Sequence, residues 1–520
     1  MTKNQFIIVL TLILALMSGI QHQANANVKT ASPFGDHMVL QQQKPVSVWG
    51  WADAGESVTV SFNGWHGSTT AAEDGRWSIV IPAMKYGGPY EMTVSGKNTI
   101  TFKDVYLGEV WLCSGQSNMV MTVAKEDRYW CGVFNEDYEV AHANYPKIRA
   151  YTVDLAFSDS PLYECNGKWE VISPATVGHI SALSYFFARE LYEKYKIPVG
   201  LVVSAYGAST VEAWTREDVQ TSNDRLSYLV SNYKEKCEDY DIGHARGRYL
   251  KAVEEWEAQG AAQSGKRKPS APKNPHTDQH NPAVLWNAMM NPLVPYTIRG
   301  FLWYQGESNS GTTAIYREQM EVMIKDWRTL WKEGDLPFYY VQLANREKLE
   351  TVPAQGHPDA LNREAQLQVL ALRNTGMVVA IDNADPDDPV NVHPKNKQEI
   401  GRRMALIARA NVYGEKKLEY SGPLFSGVEF NGNRAIISFT HVGKGLEARS
   451  ASGKLEGFAI AGEDGVFHWG DAVIEGDKVI VTCSEVPCPT IVNYGFGRNP
   501  ITSLYNKDGL PASPFRTNDQ

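Results

Sequence analysis

Five short runs of mostly apolar residues constrain the fold of this chain more than any other feature. They are 105–112 (VYLGEVWL), 199–203 (VGLVV), 301–304 (FLWY), 337–343 (PFYYVQL) and 377–381 (MVVAI). A strand with one wet face alternates apolar and polar residues, because its side chains point to opposite faces in turn. These runs do not alternate, so both of their faces must be covered. Between them, residues 181–196 and 316–331 carry apolar side chains at helical spacing. Apolar strands alternating with amphipathic helices predict a parallel α/β sheet over residues 105–415.

The flanks read differently. Residues 27–104 hold period-two segments at 46–50, 57–62, 77–81 and 91–94, punctuated by Asn63-Gly64, Asp74-Gly75 and Gly87-Gly88-Pro89. Residues 416–520 return to that pattern at 435–439 and 478–482. Each flank is expected to be a small β domain of sandwich type. Residues 218–280 break the α/β rhythm with a charged stretch and predict a surface insertion built on a helical pair.

A chain of 520 residues exceeds what one hydrophobic core holds. Its net charge of −9 argues against nucleic acid as a partner, which would favour a basic face. Residues 1–26 read as a signal peptide: Lys3 opens it, Phe6 to Met17 is apolar, and Ala24-Asn25-Ala26 suits cleavage. That apolar run is short for a membrane span, which takes about 20 residues. Export to the periplasm or the cell exterior is expected, with no transmembrane segment in the mature chain. The six cysteines form no C-x-x-C pair and no Cys/His cluster with zinc spacing. They are expected to be structural, with Cys483–Cys488 and Cys131–Cys165 as the pairs able to bridge. No metal or cofactor is expected. Oligomeric state is left open.

Four strand ends carry the candidate chemistry. Gly115-Gln116-Ser117-Asn118 follows the first apolar run. A serine at such a strand-to-helix turn has its Oγ exposed, and its own N–H can face a developing oxyanion. The same residue also suits a plain helix cap. The second end, Val203 to Ser209, offers Gly207 as a close backbone approach, with its N–H or that of Ala208 as oxyanion donor. The third, Trp303-Tyr304-Gln305-Gly306-Glu307-Ser308-Asn309, offers Gln305 as an oxyanion donor with Asn309 as the alternative, and Glu307 to support the histidine or the loop. The fourth, Asp382 to Pro394, delivers His393 as general base amid several acids. Strand ends of a parallel sheet converge on one crevice, so all four are expected to meet. Gln116, Trp303 and Tyr304, with Trp214, are the candidate sugar contacts.

Two of these segments, Gly115-Gln116-Ser117-Asn118-Met119 and Trp303 to Asn309, in combination with His393-Pro394-Lys395-Asn396-Lys397, resemble the sialate O-acetylesterases, a branch of the SGNH (GDSL-like) hydrolases. The likeness runs from Pro33 to Thr517 and includes Asp326-Trp327-Arg328, Leu361-Asn362-Arg363-Glu364-Ala365-Gln366 and the tail from Leu504. The resemblance implies a flavodoxin-like SGNH hydrolase domain flanked by β domains. It implies cleavage of acetyl esters on sugars through an acyl-enzyme, without metal, with Ser117 as nucleophile and His393 as base. Two departures stand out. Relatives often carry Gly-Gly-Thr where this chain has Gly207-Ala208-Ser209. The usual SGNH acid, three residues before the histidine, is here Val390. The acid is then Asp388, Asp385, Asp382 or Glu307, with Asp388 favoured, or a backbone carbonyl holds His393 in a dyad. Rival readings are an acetylxylan or other plant-glycan esterase on the same scaffold, and a non-catalytic glycan-binding protein.

Overall fold

The computed structural model describes residues 27–260, 267–353 and 356–518. The signal-peptide segment therefore lies outside the described residues. The chain is a mixed α/β protein with several sheets. At its centre six strands run parallel, in the spatial order Tyr145–Val153, Val199–Ala205, Thr99–Gly115, Gly300–Tyr304, Phe338–Val341, Thr375–Val378. An antiparallel strand, Gly167–Ile172, closes one edge.

Both faces of this sheet are buried, as the unbroken apolar runs require. Along Thr99–Gly115, Trp111 and Cys113 face one core while Val110 and Leu112 face the other. Helices Ala182–Tyr195 and Lys397–Asn411 cover the first face, and Thr313–Trp331 covers the second with Met320, Met323, Ile324 and Trp327. The charged insertion forms helices Ser227–Glu238 and Ile242–Ala258.

The expected boundary at residue 104 falls inside a continuous strand. Thr99–Gly115 pairs antiparallel with Gly87–Ser95 in its first half and parallel with Val199–Ala205 and Gly300–Tyr304 in its second. At the other end, two four-stranded antiparallel sheets enclose Phe458, Tyr494 and Phe515. The tail returns to the α/β region: Arg516 forms a two-pronged pair with Glu364, and Ser513 accepts from Gln342. The fully buried Arg363 donates to the carbonyls of Leu343, Ala344, Gly497 and Arg498, tying the two regions together.

All six cysteines are free thiols, so neither expected bridge is present. Cys113 is wholly buried in the sheet, and burial pushes its thiol up to about 12. No helix of the described residues is long and apolar enough to cross a membrane.

Candidate active site

The strand of Ser117 lies between the two that follow it on either side in space, so the chain switches direction of travel across the sheet there. Gly115 is in register with both Ala205 and Tyr304. Three chain segments therefore leave the sheet at one level and open a crevice, where ligands of open α/β sheets bind. The turn depends on Gly115. Its φ is +137°, and a Cβ there would sit 2.2 Å from the Tyr304 carbonyl oxygen. Ser117 then opens a single helical turn, Ser117–Val120, and keeps 9% of its surface exposed. A Cβ on Gly207 would lie 3.9 Å from the Ser117 Cβ, so the second strand end borders the serine closely.

His393 comes from the loop before helix Lys397–Asn411. Its Nε2 is 2.8 Å from Ser117 Oγ, across 276 residues of sequence. The other ring nitrogen, Nδ1, lies 3.1 Å from Asn391 Oδ1, which also accepts from the His393 backbone N–H at 3.0 Å. An amide oxygen can only accept, so Nδ1 carries the proton and Nε2 presents its lone pair to the serine. Burial, and then the Lys397 ammonium, pull the imidazole down to about 4. Trp130 lies against the ring, centroids 4.7 Å apart at 34°, and the Arg128 guanidinium lies over Trp130 at 5.3 Å.

Among the described residues no acid hydrogen-bonds the ring, whose partners are Ser117 and Asn391, which corrects the favoured reading of Asp388. Asp388 stands one residue further back, where its Oδ2 accepts from Asn391 Nδ2 at 3.2 Å. Asp382 is engaged by Arg403 through two bonds of 2.7 and 2.8 Å and by the Tyr505 hydroxyl. Asp385 is buried and paired with Lys395. Glu307 reaches Asn118, not the histidine.

Other candidates also fall in different places. Gln305 donates to Ser209 O and Asn309 Oδ1 and accepts from Tyr316, so its amide faces inward rather than toward an oxyanion. Asn309 donates to Glu212 and accepts from the Val211 N–H. Gln116 accepts from the N–H groups of Gly306 and Ser308, bracing the neighbouring loop. Trp214, Trp303 and Tyr304 are fully buried, because strand and turn residues here face a covered core. None of the three reaches the surface, where the sequence pattern would set them against the sugar. Asn391, Trp130 and Arg128 are the residues that reading the sequence missed. Only Asn391 carried a signal: an Asn two residues before a His can fold back on that residue's N–H.

Comparison with known proteins fits this arrangement. Residues 107–246 and 278–409 match the family model for carbohydrate esterase, sialic acid-specific acetylesterase. The sialate O-acetylesterases of Pongo abelii and Homo sapiens are each 31% identical over 470 residues, covering 84% of this chain and 80% of theirs. A solved carbohydrate acetylesterase from Xanthomonas citri superposes with a TM-score of 0.79 at 34% identity, covering 95% of this chain and all of that one. The chain is thus a carbohydrate esterase. It belongs to the sialic acid-specific acetylesterase family.

Proposed function

We propose that this enzyme removes acetyl groups from sugar hydroxyls, sialic acid foremost, with Ser117 as nucleophile and His393 as general base. The observation that carries the reading is the 2.8 Å contact between Ser117 Oγ and His393 Nε2 at the crevice of the sheet. His393 takes the proton of Oγ as Oγ attacks the acetyl carbonyl carbon. The imidazolium then returns that proton to the departing sugar oxygen, leaving acetyl-Ser117. A water, deprotonated by the same nitrogen, releases acetate. With Gln305 and Asn309 engaged elsewhere, the oxyanion falls to the backbone N–H groups of Ser117 and Gly207. The reading includes a flavodoxin-like SGNH domain over 105–415 between β domains at 27–104 and 416–520. It also includes export directed by residues 1–26, whose composition supports it.

Sialic acid carries a carboxylate and calls for a cation near the scissile ester. Arg128 supports that choice. It is half-exposed, stacked outside Trp130, and anchored through Thr122 Oγ1 at 3.2 Å. Acetate release should be measured over acetylated sialic acids, acetylated xylan oligomers and a neutral acetyl ester. Arg128→Gln is expected to raise KM for the sialic acids by about tenfold, the scale of one charge-assisted bond, and to leave the neutral ester unchanged. Equal turnover of xylan oligomers and sialic acids, with no effect of Arg128→Gln, would assign the enzyme to plant glycans instead.

A further inference from the structure

We infer that Lys397 and Asn118 act together as positioning residues that hold His393 against Ser117, in place of a triad acid. Lys397 opens its helix, yet its side chain is fully buried. A lone ammonium there is doubly unfavourable, since burial strips its water and the positive end of the helix dipole repels it. Its contacts account for its presence. Nζ donates to Pro394 O at 2.6 Å and to Asn118 Oδ1 at 2.9 Å. The Asn118 amide in turn donates to Val392 O at 2.9 Å and to Glu307 Oε1 at 2.5 Å. Pro394 and Val392 flank His393, and Asn118 directly follows Ser117. The two carbonyls beside the base are therefore gripped by side chains anchored beside the nucleophile and at the helix start.

This clamp does two things. It sets the separation of Oγ and Nε2 through the backbone rather than through the ring. It also keeps a cation near His393, which disfavours the imidazolium and keeps the base neutral in mild acid. The groups bearing on the histidine are Lys397, Asn391 with Asp388 behind it, and Trp130 with Arg128 outside it. Those bearing on Lys397 are Glu307, Cys131 and the face of Tyr304 at 5.7 Å. Burial outweighs Glu307 and draws the ammonium down to about 7. Glu307 is pushed up by burial, and its Oε2 has no hydrogen-bond partner among the described residues.

The inference rests on the Ser117–His393 reading, and the experiment separates the two. Wild type is measured first: the acid limb of kcat/KM is expected well below the usual imidazole value of about 6.5. A wild-type limb at 6.5 overturns the inference. Lys397→Met, and Lys397→Met with Glu307→Gln to spare an unpaired buried carboxylate, follow. In whichever folds, kcat should fall about 10²-fold, the scale of a misplaced catalytic group, with KM within about threefold. The acid limb should also move up by at least about one pH unit, because a cation near the base is gone. A purely structural lysine would lower the melting temperature and leave that limb in place, which also overturns the inference. Ser117→Ala is run alongside. If it is inactive while the lysine variants match wild type, only the clamp is lost. If it stays active, the nucleophile assignment itself is wrong.

Discussion

The two halves of the reaction centre are held by different physics. Ser117 is held by regular structure: three strand ends in register and one glycine set its turn. His393 sits in a loop between residues 382 and 396 that has no helix or strand of its own. Polar side chains fix it instead: half-buried Asn391 on the ring, buried Asn118 and Lys397 on the carbonyls to either side. A strand ladder tolerates most changes of side chain but no added atom where backbones touch. A polar loop tolerates added atoms but no loss of a bonding partner, because each buried group left unpaired costs about 1–3 kcal/mol. The nucleophile side should therefore break through sterics, and the base side through chemistry.

The largest effect tests the chemistry they share. Ser117→Ala should lower kcat by at least about 10³-fold with an unchanged circular dichroism spectrum, since only the attacking oxygen goes. Activity within tenfold of wild type would remove the serine from the mechanism. Next comes the steric side. Gly115→Ala adds one methyl 2.2 Å from a carbonyl oxygen at a φ of +137°. It should destabilise the fold by at least about 2 kcal/mol, the scale of a strained backbone position. A melting temperature equal to wild type would show that the ladder is softer than its geometry.

Asn391 tests the base side in both directions. Asn391→Leu removes the acceptor that fixes the ring tautomer. It should cost about 10²-fold in kcat, less than the ~10⁴-fold seen where a triad acid is replaced by its amide. Asn391→Asp keeps an acceptor and adds a charge, so kcat should stay within about tenfold while the acid limb of kcat/KM rises, since an anion favours the imidazolium. Asp388→Asn acts only through Asn391 and should cost less than about tenfold. If Asp388→Asn proved as damaging as Asn391→Leu, the acid would be in the mechanism after all.

This asymmetry also decides what could be read from the sequence. The sheet, its covering helices and the convergence of Ser117, Gly207 and His393 were legible, because uniform apolar runs and helical spacing are local signals. The side of each strand-end residue was not. Trp303 and Tyr304 look like a sugar platform in sequence, but their strand is covered on both faces. Gln305 and Asn309 look like oxyanion donors until their partners Ser209, Tyr316, Glu212 and Val211 are seen to occupy them. Three of those partners lie 96 to 98 residues earlier in the chain, and no periodicity marks them. Trp130 sits in an irregular loop and left no trace at all.

Asp382 offers the smallest effect on rate and the clearest separation of stability from catalysis. It follows the last parallel strand, Thr375–Val378, by four residues, an obvious place for a triad acid, and it lies 11 residues from His393 in a loop rich in carboxylates. Its oxygens are committed to Arg403, which is nearly buried and also bonds Glu399, and to the Tyr505 hydroxyl. Tyr505 belongs to the C-terminal β region, so Asp382 joins that region to the helix carrying Lys397. Asp382→Asn keeps the shape but loses the charge opposite Arg403. Breaking a buried pair outright costs about 3–5 kcal/mol; Glu399 still faces the guanidinium, so about 2 kcal/mol is expected here. The cost should appear as a lower melting temperature, while kcat at 25 °C stays within about twofold, because nothing bonded to the ring has moved. A fall in kcat without a fall in melting temperature would mean that the carboxylate acts on His393 through space. The loop would then hold its acid at the strand end, and the division between a steric nucleophile side and a neutral, polar base side would fail.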